Sequence, residues 1–345
     1  MVYKFYLIPI AVAIIWTSFS LLNLTGSDGN EDLLNDGTSV LYEQYEDIPI
    51  HCGAYPELKE CIDGAQKSNL DAVLLFGNSQ LHAVNNISNK SELVALRFHK
   101  TRRKVNEYVV TISYGNANFE EINWAMENLL DKIKVKRIFI ACVFDDMREV
   151  GLRPEMLETN QLQENAINQD FKNSYIFPEI PIQDISESLI NEFFTDSPAW
   201  NTRHELKYRI NVNLRKMRNF VFGITPETKR KILPHAYERN INYFSQILKK
   251  TSEKGIETIA YIAPILHDEG IPYDKNEYSK YKNDIKDITD FYGAKFINLE
   301  KIVPNEAWGL KQNTQLKSTL EKDYMHFTET GHIILAKSLN EIIDG

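Results

Sequence analysis

The apolar positions of this chain fall into short, nearly continuous runs, separated by longer stretches with helical spacing. Ala72–Phe76 (AVLLF), Tyr108–Ser113 (YVVTIS), Arg137–Val143 (RIFIACV) and Glu257–Ile265 (ETIAYIAPI) are each bounded by turn-forming residues. Such runs mark strands buried on both faces. Lys295–Leu299 (KFINL) is a weaker fifth. Between them, Phe119–Ile133 places Phe119, Ile122, Met126, Leu129, Leu130 and Ile133 on one side of a helix. Tyr237–Lys254 does the same with Ile241, Phe244, Ile247 and Leu248, and Glu329–Ile343 with Ile333, Ile334, Ala336, Leu339 and Ile342. Strands alternating with helices predict an α/β fold, a parallel sheet with helices on both faces. From about 153 to 234 the rhythm breaks. This polar and aromatic stretch, with helical patterns at Ile185–Phe194 and Glu205–Phe220, predicts a mainly helical insertion over the carboxyl edge of the sheet, where α/β enzymes bind ligands.

The N-terminus changes the picture. Phe5–Leu24 carries no charge, and about 20 apolar residues suffice for a transmembrane helix. A cleaved signal peptide is the competing reading. Against it, the run exceeds the ~7–15 residues of a signal core and lacks a small-x-small cleavage site. Residues 1–24 are therefore expected to be a cytoplasmic tip and membrane anchor, 25–48 a polar stalk, and 49–345 the folded domain. Lys4 before the span predicts a cytoplasmic N-terminus and an extracytoplasmic, periplasmic or cell-surface, C-terminal domain. Cys52 and Cys61 could then form a disulfide or remain two free thiols, while Cys142, inside an apolar run, reads as a small core residue. The formal net charge of −9, with no basic run, excludes nucleic acid as a partner.

The candidate chemistry sits at two places. The first strand runs into Gly77-Asn78-Ser79-Gln80, which sets a serine at the carboxyl edge of the sheet, with glycine for a sharp turn. A helix after the serine would aim its first N–H groups at an oxyanion. Near the other end, Asp323 and His326 stand three apart in a loop entering the last helix. A serine hydroxyl needs a base such as histidine, and the histidine needs an orienting carboxylate. Either signal alone is what an ordinary turn also looks like. Together, over roughly residues 70–150 and 235–345, they resemble the SGNH/GDSL hydrolase superfamily.

That resemblance implies a flavodoxin-like three-layer sheet and an esterase or O-acyltransferase with Ser79 as nucleophile, His326 as base and Asp323 as its partner. It also implies an oxyanion hole at the backbone of Ser79 and at Gly115, in Ser113-Tyr114-Gly115-Asn116-Ala117-Asn118. The family's G-x-N-D block reads Val143-Phe144-Asp145-Asp146 here. An ionised Asp145 only accepts hydrogen bonds, so Asn116 or Asn118 is the expected replacement donor. Gln80, Asp145, Asp146, Arg148 and His267 are further candidates for lining the substrate site, or for ordinary loop contacts. A single N-terminal anchor before such a domain is similar to proteins that move acyl groups onto cell-surface polymers, including polysaccharide O-acetylation and D-alanyl transfer proteins. Expected partners are a cell-surface polysaccharide or acyl ester, a membrane protein supplying the acyl group, and the membrane itself. No metal-ligand spacing, glycine-rich dinucleotide motif or P-loop is present, so neither metal nor cofactor is expected. The reading from a different class is a non-catalytic assembly or carbohydrate-binding protein on the same frame, which the altered G-x-N-D block favours.

Overall fold

The computed structural model describes residues 38–52, 57–88, 90–153, 156, 219, 228–267, 270–312 and 320–344. The candidate membrane span Phe5–Leu24 and nearly all of the expected insertion lie outside them. Among the described residues, no helix is long and apolar enough to cross a membrane. The described residues of Gly37–Phe171, Pro226–Lys311 and Leu320–Gly345 form one compact unit; a second unit contributes only Asn219 and Gln312 to the described residues.

At the centre of the first unit is a six-stranded sheet. Its strands are β4 (His51–Cys52), β5 (Asp71–Gly77), β7 (Glu107–Ser113), β8 (Val135–Cys142), β9 (Glu257–Ile262) and β10 (Lys295–Asn298). The spatial order is β10-β9-β8-β5-β7-β4, and every neighbouring pair is parallel. Successive residues of β5 point to opposite sides. Leu74 and Phe76 join one core cluster, Val73 and Leu75 the other. This explains why the strand reads as continuously apolar: both of its faces are buried.

The first cluster is capped by α1 (Glu57–Ser68), α3 (Phe119–Leu130), α4 (Pro234–Glu253) and α5 (Lys275–Phe291); the second by α2 (Val94–Arg103) and α6 (Glu329–Asp344). The result is three layers, with strands in the doubly wound order plus one extra edge strand. From β5 the chain moves to β7 on one side and later to β8 on the other. The carboxyl end of β5 is thus the switch point where such folds leave a crevice.

Differences from the sequence reading have local causes. Helices α1, α2 and α5 went unread because their buried stripes are built from Cys, His, Tyr and Arg as much as aliphatic residues. In α5 the stripe is Tyr278, Tyr281, Ile285 and Thr289, behind an Asp274 N-cap. Strand β9 stops at Ile262 rather than Ile265, because Pro264 has no N–H to give to a ladder. Residues 38–48 of the expected stalk 25–48 are described, and they carry short strands. Within it, β1 (Thr38–Val40) pairs antiparallel with β6 (Ala83–Asn85), and β2 (Gln44–Tyr45) pairs with β3 (Ile48–Pro49). Glu43, buried between them, accepts from the N–H groups of Leu93 and Leu96, both at 2.7 Å, at the start of α2. Cys52 and Cys61 are joined as a disulfide with Cα atoms 6.5 Å apart, which pins β4 to α1. Cys142 is a buried free thiol whose ionisation burial opposes.

Candidate active site

Gly77 closes β5 in register with Ser113 of β7. Its backbone is not left-handed; what it supplies is space. A Cβ there would lie 2.7 Å from Leu81 Cδ1 and 3.0 Å from Ala141 Cβ. Beyond it the chain makes one 3-10 turn, Ser79–Leu81. The turn is short because β6 begins at Ala83 and must reach β1. Asn78, fully buried, caps it by accepting from Gln80 N–H at 3.0 Å, and its own amide donates to Asp146 Oδ1 at 3.1 Å. Ser79 is therefore raised between two buried neighbours, half-exposed at the switch point.

Asp323 and His326 arrive from the far end of the sequence. They lie not in a loop but in β12 (Leu320–Phe327), which pairs with β11 (Trp308–Gln312) and leads directly into α6. The strand is what carries both residues to the serine. His326 Nε2 is 2.9 Å from Ser79 Oγ, and His326 Nδ1 is 2.9 Å from Asp323 Oδ2. The other carboxylate oxygen of Asp323 accepts from the N–H groups of Met325 at 3.0 Å and His326 at 3.2 Å. Thr38 Oγ1 adds a donor to Oδ2 at 3.4 Å. Burial disfavours the Asp323 charge. The hydrogen bond and charge of His326, the Lys311 ammonium and the Met325 N–H outweigh it, and its pKa is lowered to about 2. An anionic Asp323 requires a proton on His326 Nδ1, which leaves Nε2 as an acceptor facing the serine hydroxyl.

The other candidates separate into those near the serine and those spent on structure. Tyr114 N–H donates to Gly77 O at 3.3 Å, which lays the 114–116 turn beside the nucleophile turn. Gly115 and Asn116 are exposed there, and nothing stands within 4 Å of where a Gly115 Cβ would be. Asn116 has φ 52°, a left-handed conformation that asparagine tolerates. No hydrogen bond among the described residues uses the backbone N–H of Ser79, Gly115 or Asn116. Asn118 cannot serve. It forms a capping box with Glu121 at the start of α3 and donates to Gly151 O at 2.9 Å.

Asp145 is paired with Arg230 and accepts from Tyr273 Oη at 3.2 Å, so it supplies no donor. Arg148 lies 3.9 Å from the other oxygen of the same carboxylate. Gln80 and Asp146 are buried and do not line an open surface. Gln80 donates to Pro264 O at 2.7 Å, tying the nucleophile turn to the end of β9, and Asp146 holds Asn78. Burial pushes the Asp146 carboxyl well above the usual carboxylate range, and the charges of Asp145, Glu121 and Glu149 add to that. His267 lies beyond β9, its Nδ1 3.4 Å from Ile265 O. Among the described residues, no cluster of three or more His, Cys, Asp or Glu side chains could hold a metal ion.

Several residues at the site carry no local sequence signal. Ser113 Oγ stands 2.6 Å from His51 Nε2 and 2.8 Å from His82 Nδ1, all three buried. Arg153 donates to Gly115 O and pairs with Glu121 at 2.7 Å. These contacts join residues 31 to 62 positions apart, and the fold, with β4 and β5 both paired parallel to β7, brings them together.

No protein-family model matches the sequence, and no curated protein does either. Among solved structures the chain is similar to a catalytic mutant of an acetylxylan esterase from Geobacillus stearothermophilus, at a TM-score of 0.39 and 10% identity over 79% of this chain and 93% of that one. It is also similar to an alpha/beta hydrolase enzyme from the metagenome of Lake Arreo, Spain, at 0.41 and 8% over 79% and 94%. Likenesses of this size leave the chemistry to be argued from the residues themselves.

Proposed function

We propose that the protein is a serine-dependent esterase or acyltransferase that works through an acyl-Ser79 intermediate. One observation carries the reading: Ser79 Oγ, His326 and Asp323 form a single hydrogen-bonded line with both links at 2.9 Å. His326 Nε2 takes the serine proton as Oγ attacks the ester carbonyl. The tetrahedral oxyanion then faces the backbone N–H groups of Ser79 and Gly115, with Asn116 beside them. Collapse expels the alcohol, which leaves with the proton from His326. A sugar hydroxyl or water, deprotonated by the same nitrogen, then takes the acyl group.

The preferred acceptor class is a cell-surface polysaccharide outside the cytoplasm. The apolar run Phe5–Leu24 supports a membrane anchor. The Cys52–Cys61 disulfide supports an oxidising compartment. On this reading a membrane protein supplies the acyl group. The expected result is that the wild type releases acetate from an acetylated oligosaccharide, or acetylates the bare one from an activated ester, and that Ser79→Ala does neither. Equal activity in the two proteins contradicts it.

One observation favours the second reading, a non-catalytic binding protein on the same frame. The position where the resemblance calls for an asparagine donor holds Asp145, committed to Arg230 and Tyr273. Oligosaccharide binding by a wild-type protein with no turnover is its signature.

A further inference from the structure

Behind the proposed nucleophile lies a second hydrogen-bonded line: His51 on β4, Ser113 at the carboxyl end of β7 and His82 after the 3-10 turn. Ser113 is fully buried, which removes it as a second nucleophile. Its hydroxyl has one proton to donate and lone pairs to accept, and the two imidazoles flank it. The direction of the line follows from what is left unpaired. His51 Nδ1 is buried with no hydrogen-bond partner. An orphaned buried N–H is rarer and costlier than an orphaned acceptor, so the proton of neutral His51 belongs on Nε2, where it is donated to Ser113 Oγ. Ser113 then donates its own proton to His82 Nδ1. That leaves the single proton of neutral His82 on Nε2. Among the described residues this atom has no hydrogen-bond partner, and unlike His51 Nδ1 it is not among the buried orphaned atoms.

The free end of the line belongs to a residue that follows the nucleophile turn. His82 N–H donates to Ser79 O at 3.1 Å, which fixes the residue to the nucleophile turn. The charged groups facing the ring are His326 on β12 and Arg153, and the latter also donates to Gly115 O. Both are near enough for their charges to act on His82. Tyr42, at 5.5 Å, and His51, at 5.9 Å between ring centroids, pack on it from behind, and His332 is the further titratable group facing His51. Burial, then the charges of His326 and Arg153, hold His82 at about 4, so it is neutral near neutral pH. A neutral imidazole N–H can stabilise developing negative charge without competing for the proton that His326 must carry.

We propose that His82 is a further catalytic residue, and that the His51–Ser113 pair locks it in the Nε2–H form, so that it donates a hydrogen bond to the bound ester or its oxyanion. This rests on the Ser79 reading and supplies the side-chain donor that Asp145 cannot.

The test compares His82→Phe, His82→Gln and Ser113→Ala in the full chain, using hydrolysis of a neutral aryl acetate and the rate of Ser79 labelling by a fluorophosphonate. His82→Phe keeps the ring packing and removes the donor. It should lower kcat about a hundredfold with little change in KM, equally from about pH 6 to 8, where neutral His82 does not titrate. His82→Gln, with an amide donor, should recover to within about tenfold of wild type, and Ser113→Ala should lose about tenfold by freeing the tautomer. Ring 15N shifts, assigned by the signals lost in His82→Gln, should show a bare Nδ1 and a protonated Nε2. A proton on Nδ1 overturns the proposal. So does a folded His82→Phe with wild-type kcat, or a His82→Gln as poor as a folded His82→Phe. If His82→Phe does not fold, the tautomer and a His82→Gln within tenfold of wild type support the proposal, and a deeper loss in His82→Gln overturns it. A wild type that is never labelled and turns over nothing defeats the Ser79 reading itself, whatever the His82 variants do, and the proposal falls with it.

Discussion

Asn78 donates its side-chain amide to Asp146 across 3.1 Å, and so ties the turn that carries Ser79 to the end of the neighbouring strand β8. Asp146 is buried there, and its carboxyl is held well above the usual range, first by burial and then, against the Asn78 bond, by the charges of Asp145, Glu121 and Glu149. The unfolded chain ionises at an ordinary ~4. A raised folded value means that stability is full below that point and falls as pH rises toward the folded value. Asp146→Asn keeps an oxygen for Asn78 and removes the titration. Thermal melts should show the variant gaining on the wild type as pH rises from about 4 to 8. Parallel melting curves across that range would contradict the assignment.

Gly77→Ala should act through crowding rather than backbone conformation. The new methyl must push against Leu81 and Ala141, an overpacking that typically costs about 1–3 kcal/mol. Leu81 belongs to the nucleophile turn, so activity should fall more than stability does. Urea unfolding beside kcat/KM separates the two effects.

The disulfide between Cys52 and Cys61 closes a short loop next to His51. Replacing both cysteines by serine should lower stability by about 2–3 kcal/mol. Differential scanning calorimetry of the oxidised wild type, the reduced wild type and the variant should place the last two together.

Asp323→Asn should retain the fold and lose activity. The asparagine amide can no longer hold His326 in the required tautomer, and such a change costs up to about 10⁴ in kcat. Stability should also respond to pH. A carboxyl lowered to about 2 in the folded state contributes stability above the ordinary ~4 and loses it as pH falls toward 2. Acid unfolding of wild type and Asp323→Asn should therefore converge below that window and diverge above it.

How far the sequence could be read follows from which contacts are local. Strands β5, β7, β8 and β9 were legible because burial on both faces leaves no polar alternation, as Val73 and Leu74 illustrate by entering opposite clusters. Ser79, Asp323 and His326 were legible because each stands at a recognisable punctuation of the chain. The network of His51, Ser113 and His82 was not, since nothing within one segment signals that β4 lies beside β7. The strand at Thr38–Val40 has no signal of its own within the polar stretch, because a short strand such as β1 is defined by its partner, β6, and not by its own composition. Asn118 is excluded as the donor because its side chain is used in the capping box with Glu121, which nothing in the sequence alone decides.

The most direct measurement is covalent labelling of the intact protein by a fluorophosphonate, read by peptide mass spectrometry. The account predicts one adduct, on Ser79, absent from Ser79→Ala and nearly absent from His326→Ala. An adduct elsewhere, or full labelling of His326→Ala, would contradict the claim that Ser79 is a nucleophile activated by His326.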